Sequence, residues 1–295
     1  MSTFRRSLML VAALACGASA LAAQGLAYAL VTLSGDRQQL VRFATNDPMS
    51  VTTIGFTGVT LTGLDVRPST GMLYGHDGRD LFIVDPATGV ATRTATVSTA
   101  ITGNGGFDFN PTVDRIRIVA PGGTNLRVNP ITGEAIVDGA YRYGPGDANV
   151  GATPSFSGMA YTNSDTDPNT GTTLFGIDTQ RGVLVRIAAP NGGDVFTVGT
   201  LGLGMNPMVT AFDILTSGGT NTAFITVNMG AAMSRLYTVD LATGATTLVG
   251  SIGAMRAVDA LAVTAVPEPA TSVLLAVGLA LLVPIARGRR TSQRA

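Results

Sequence analysis

The sequence predicts an all-β fold of the β-propeller type. Five four-stranded blades are closed into a ring by pairing of the N- and C-terminal strands, and a C-terminal transmembrane helix follows. Three observations predict the ring. A short element of the form small–apolar–Asp–apolar recurs at steps of 43–53 residues. The first four copies are followed by strand-like runs, and three of them by an Asp/Asn–x–x–Thr–Gly turn. The two ends of the repeat region are complementary, with strands missing at one end and supplied at the other.

The first element is Gly63-Leu64-Asp65-Val66, followed by Gly106-Phe107-Asp108-Phe109, Gly158-Met159-Ala160-Tyr161, Ala211-Phe212-Asp213-Ile214 and Ala257-Val258-Asp259-Ala260. A second strand follows each, such as Leu73-Tyr74-Gly75 or Leu174-Phe175-Gly176. A third runs into the turn: Leu81-Phe82-Ile83-Val84-Asp85-Pro86-Ala87-Thr88-Gly89, with relatives at Leu126–Gly133 and Leu236–Gly244. A fourth is Ala91–Val97 or Thr246–Ser251. These runs are short, alternate in polarity and are rich in Val, Ile, Thr and Phe, which are strand signals. In the turn, Asp or Asn caps its own amides, Pro pre-sets φ and Gly takes the left-handed position that closes a hairpin.

Three strand-like runs, Tyr28–Leu33, Gln39–Ala44 and Val51–Phe56, precede the first Gly-Leu-Asp element. Nothing strand-like follows the last one, so Ala257–Val263 is expected to join those three as the fourth strand of a closing blade. The steps spanning Tyr141–Pro154 and Asn163–Thr172 contain long loops, which leaves a six-bladed ring or an irregular sandwich open.

The chain of 295 residues is 13% charged and 45% hydrophobic, and all its basic residues are Arg. Between residues 24 and 265 the balance is acidic, 13 Arg against 17 Asp and Glu134. That is the opposite of a nucleic-acid binder's basic footprint, so no nucleic-acid partner is expected. Cys16 is the only cysteine, so neither a disulfide nor a thiolate metal centre is expected in the body.

The ends carry address signals. Residues 1–23 read as a secretory signal peptide: basic Arg5-Arg6, a short apolar run Leu8–Ala15, and small residues for signal peptidase. Residues 266–295 begin with Pro267-Glu268-Pro269. An uncharged run over 270–286 follows, then Arg287, Arg289 and Arg290. Such a run spans a thin bilayer as a helix, with the Arg cluster held on the cytoplasmic side. Pro-Glu-Pro, one apolar helix and a terminal Arg cluster together resemble the PEP-CTERM sorting signal. That resemblance implies processing by an exosortase-type protease and a place at the cell envelope surface or outside the cell.

The body, residues 24–265, resembles the family catalogued as domain of unknown function 4394. The resemblance is carried most specifically by Gly106-Phe107-Asp108-Phe109-Asn110-Pro111, Asp114-Arg115-Ile116-Arg117 and Asn125-Leu126-Arg127-Val128-Asn129. It implies an exported propeller-like protein and brings no activity or catalytic residue with it.

Candidate chemistry is sparse. Asp65, Asp108, Asp213 and Asp259 read as occupying one place in the repeat. They line a central channel, where carboxylates serve glycoside hydrolysis or a cation, or else they bond backbone amides within each blade. Asp165, Asp167 and Asn169 alternate like the start of a calcium loop, but Gly171 falls one place late and the twelfth position, which wants Glu, is Gly176. His76 is the only histidine, and no nucleophile elbow accompanies it. Arg115, Arg117 and Arg127 lie on neighbouring strands and either meet an anion or pair with local carboxylates. With no catalytic constellation, no Trp platform and no cofactor motif, the expectation is a binding or structural protein with extracellular polysaccharide as partner. A carbohydrate-active enzyme and a calcium-stabilised adhesive module are the rivals.

Overall fold

The computed structural model describes residues 25–266 except 34–36, 104, 121–122, 166, 168, 231–232 and 255–256. The regular elements among them are all strands, arranged as five small sheets. β1 (Gly25–Thr32), β2 (Gln38–Ala44) and β3 (Asp47–Phe56) form an antiparallel meander. β4 (Gly63–Arg67), β5 (Met72–His76), β6 (Asp80–Val84) and β7 (Ala91–Thr96) make the second blade. The third is β8 (Gly106–Asn110), β9 (Arg115–Ala120), β10 (Thr124–Val128) and β11 (Ala135–Val137).

The fourth blade has five strands. β12 (Arg142–Tyr143) precedes β13 (Phe156–Tyr161), β14 (Leu174–Asp178), β15 (Val183–Ala189) and β16 (Asp194–Thr200), and β12 pairs parallel to β16 at the outer edge. The long loop expected over Tyr141–Pro154 thus contributes an extra strand. β17 (Val209–Ser217), β18 (Thr220–Asn228), β19 (Ser234–Val239) and β20 (Thr246–Ser251) complete the fifth blade. β21 (Val258–Ala265) returns to pair antiparallel with β1, Ala29 opposite Leu261 and Ala27 opposite Val263. The ring is therefore closed by the last of the described strands, and the blade count is five.

Burial follows the ring. Five apolar clusters occupy the five blade–blade interfaces. Leu81, Ile116, Ile118 and Leu126, all fully buried, fill the one between the second and third blades. At about 25 cal/mol per Å² of apolar surface, each such side chain contributes about 1.5–3 kcal/mol of transfer energy. Inner strands bury almost every residue, and outer strands such as β7 expose Thr92, Arg93 and Thr94. Charged and Thr-rich edges of this kind discourage edge-to-edge pairing with other molecules.

The repeated turn does more than reverse the chain. Gly89 has φ +81°, and a Cβ there would lie 2.8 Å from the Gly55 carbonyl of β3 in the preceding blade. Gly244 (φ +80°) meets Gly199 of β16 in the same way, at 2.6 Å. Each turn therefore clasps the outer strand of its neighbour, and glycine is needed both for the left-handed backbone and for the close approach.

The signal peptide expected over residues 1–23 and the residues expected to form the sorting signal, Pro267, Glu268, Pro269, Arg287, Arg289 and Arg290, lie outside the described residues. So does the helix expected over 270–286. No helix of the described residues is long and apolar enough to cross a membrane.

Candidate functional site

The five inner strands, β4, β8, β13, β17 and β21, converge on the ring axis. Where they meet, each carries a small residue, Gly63, Gly106, Gly158, Ala211 or Ala260, and at the three glycines the next blade leaves no room for a side chain. A Cβ on Gly63 would lie 2.6 Å from Phe107 Cβ, on Gly106 2.9 Å from Met159, and on Gly158 2.6 Å from Phe212. Leu64 packs in one cluster with Ala260, and Leu261 with Ala211, which completes the circle. A shallow depression of about 30 Å³ remains over these strand starts, lined among others by Thr62, Ser157, Thr210 and Asp259.

One layer deeper sit Asp65, Asp108 and Asp213, all buried, with carboxylate oxygens within 4.8 Å of one another. They tie the blades together through backbone amides. Val66 N donates to Asp65 Oδ1 (2.6 Å), and Phe109 N of the next blade to Asp65 Oδ2 (2.7 Å). Tyr161 N donates to Asp108 Oδ1 (3.0 Å). Ile214 N and Val263 N donate to Asp213 Oδ1 and Oδ2, both at 2.6 Å. Three carboxylates thus satisfy one inward-facing amide from each of five inner strands, groups that would be costly to bury unpaired.

Ala160 and Ala262 take the aspartate position in the other two blades. Register proves the equivalence: Asp65 lies opposite Tyr74, Asp213 opposite Phe224, Ala160 opposite Phe175 and Ala262 opposite Tyr28. This corrects the sequence reading of Asp259. The fifth copy of the inner element is Ala260-Leu261-Ala262-Val263, three residues further on. Asp259 instead sits at the β1–β21 irregularity, near the rim, where Thr32 Oγ1 (2.6 Å) and Gln38 Nε2 (3.4 Å) donate to it.

The electrostatics of the hub follow from burial. Desolvation raises Asp65 well above the usual carboxylate range, with the Asp213 charge adding to it. Asp108 is raised by desolvation and then by Asp65 and Asp213. Burial pushes Asp213 up to about 7 against the pull of its two amide donors. Carboxylates this close and this dry cannot all ionise at neutral pH. Such a set could neutralise itself with a hard cation or with protons. Five of its six oxygens already accept from amides, which favours protons.

The remaining candidates are dispersed. In the 163–172 loop, Asp165 Oδ1 accepts from Asp167 N and Thr170 Oγ1, and Asp167 Oδ1 from Asn169 N and Nδ2. These exposed groups cap their own turns. His76 is buried, stacked on Phe107 with ring centroids 5.1 Å apart, and its Nδ1 accepts from Gly78 N at 3.1 Å. Burial lowers its pKa to about 4, so the ring is neutral over most of the physiological range. Asp114, in the turn before β9, pairs with Arg67 of the second blade rather than with Arg115, Arg117 or Arg127; Arg67 Nε donates to it at 2.8 Å.

Sequence reasoning left Arg117 and Arg127 to meet an anion or a local carboxylate; the structure pairs both with Asp138, in a network whose other members the sequence did not reveal. Both donate to Asp138 Oδ2 at 2.6 Å, and Arg117 also donates to Asn125 Oδ1, Asn191 Oδ1 and Tyr161 Oη. It links the third blade to the turn and inner strand of the fourth. Its one legible signal was two Arg on adjacent strands, Arg117 opposite Arg127, which requires a shared anion.

Strand order, closure and hub together define a five-bladed β-propeller sealed at its axis by carboxylate–amide bonds. The chain belongs to the family described as Domain of unknown function (DUF4394), whose model matches residues 39–262. No curated protein matches the chain. Among solved structures it is similar to a chain of a nidogen/laminin complex, at 9% identity and TM-score 0.49 over 81% of this chain and 98% of that one. A protein of unknown function from Bacteroides thetaiotaomicron is similar at 12% identity and TM-score 0.45, over 75% of this chain and 57% of that one. A chain from work on the de novo evolutionary emergence of a symmetrical protein is similar at 17% identity and TM-score 0.46, over 83% of this chain and all of the other.

Proposed function

We propose that this propeller is an exported, non-catalytic binding or structural module of the cell envelope surface or extracellular matrix, with extracellular polysaccharide as its partner. One observation supports the non-catalytic part. The aspartates best placed for sugar hydrolysis, Asp65, Asp108 and Asp213, spend their oxygens on backbone amides in a buried hub. A glycosidase needs two carboxyl groups facing a substrate groove with room for sugar and water between them. The export part rests on the sequence of the ends, Arg5-Arg6 with the following apolar run, and Pro267-Glu268-Pro269 with Arg287, Arg289 and Arg290.

Two measurements test this reading. Mass spectrometry of the mature protein, from a host with an exosortase, is expected to find a new C-terminus within residues 267–270 and no apolar run. Retention of Leu274–Ile285 would reduce the tail to a membrane anchor. Sedimentation with the host's extracellular polysaccharide is expected to co-pellet the protein without shortening the polymer. Depolymerisation lost in Asp65→Asn would instead establish the enzyme.

A further inference from the structure

We propose that Met208, Met229 and Met233 form a surface site for a soft monovalent cation of the Cu(I) class, with Met205 as an adjoining ligand. Methionine is among the residues most often fully buried, and Met159 at the hub is 1% exposed. The four methionines named here are 41–74% exposed. The fold gathers three of them at one end of the fifth blade, on three adjacent strand ends, with Met205 three residues before Met208 in the chain. Met208 precedes β17, Met229 follows β18 and Met233 precedes β19.

Backbone bonds hold these ends together. Asn228 N donates to Met208 O and Met229 N to Met233 O, each at 2.8 Å. On the Met208 side the chain is bent to present its residues. Asn206 has φ +50°, a left-handed backbone uncommon outside glycine, and Val209 N donates to Pro207 O at 2.7 Å. Four exposed thioethers on short loops lose apolar burial and gain no packing.

What they share is a neutral, soft sulfur donor on a side chain with three rotatable bonds, able to converge on one ion. Thioether ligands select Cu(I) over the hard cations that carboxylates and carbonyls hold. Among the described residues no cysteine or exposed histidine competes for such an ion. Cys16 is the only cysteine, and His76 is buried against Phe107. The site does not depend on the proposed export or polysaccharide binding.

The test is titration of the full chain with Cu(I) against a chromophoric Cu(I) chelator, with Ag(I) as the redox-inert probe. One tightly held equivalent with a sulfur-only shell in X-ray absorption is expected. The triple variant Met208→Leu, Met229→Leu, Met233→Leu should bind about tenfold or more weakly. Its circular dichroism and Tm should be unchanged, because these side chains pack against little. The control Met72→Leu, on the second blade, should bind as the parent does. Absence of competition at one equivalent would overturn the proposal. So would nitrogen or oxygen ligation, parental affinity in the triple variant, or loss of binding in the control.

Discussion

Asp108 differs from its two partners in accepting a single amide, that of Tyr161, while facing Asp65 and Asp213. Asp108→Asn keeps an acceptor for Tyr161 N and removes a charge from a dry cluster. At pH 8 the variant is expected to be at least as stable as the parent, and Asp108→Ala to be less stable by about 1–3 kcal/mol, because it orphans a buried amide. Denaturant melts of both at pH 8 check this. An Asn variant much weaker than the parent would mean that the hub needs its third charge, as it would if it held a cation. Addition of a chelator is expected to leave the parent's melt unchanged, which separates protons from metal at the same residues.

The closing strand and the inter-blade clasps belong to the scale of elements. β21 fills the edge of β1 and supplies Val263 N to Asp213. Deleting 257–265 should remove both a ladder and a hub bond, exposing a long apolar edge that aggregates. A soluble, cooperatively unfolding deletion variant would contradict the closure. At the clasps, Gly89→Ala and Gly244→Ala are each expected to cost more than Gly71→Ala. Gly71 has a similar φ, +69°, but open space where a Cβ would go. The left-handed strain common to all three is about 1–2 kcal/mol. The excess at Gly89 and Gly244 measures the packing of a turn against its neighbouring blade. Equal Tm losses at the three sites would remove the clasp from the account.

For the whole molecule, the buried titratable groups set opposing pH dependences. The hub aspartates have raised folded-state pKa values, so the stability they contribute is fully present below about 4 and is lost as pH rises, through about 7 for Asp213. His76 is lowered to about 4, so its contribution is present above about 6.5 and is lost as pH falls toward 4. The two slopes offset one another in mildly acidic solution, and the hub alone acts above it. Stability by denaturant titration is therefore expected to decline from pH 6.5 to pH 8, and Asp108→Asn should flatten that decline. A parent whose stability rises over this interval would refute the assignment of protons to the hub.

Read alone, the sequence determined the strand pattern, the recurrence of the blades and the pairing of the two ends. These properties are local or periodic: alternating apolar residues make strands, Asp, Pro and Gly make turns, and a fixed repeat makes blades. Of the four aspartates it assigned to the inner element, three meet in the hub. The tertiary structure alone decided which of them meet. Val258-Asp259 and Leu261-Ala262 sit three residues apart in equally strand-like surroundings, and only pairing with β1 sets Ala262 opposite Tyr28 and leaves Asp259 at the rim. The same holds for the bond from Arg117 to Asn191, 74 residues apart, and for the turn glycines pressed on a neighbouring blade. Local propensity chooses each residue's conformation. Closing the ring chooses its partners, because those partners come from other blades and no short window of sequence contains both.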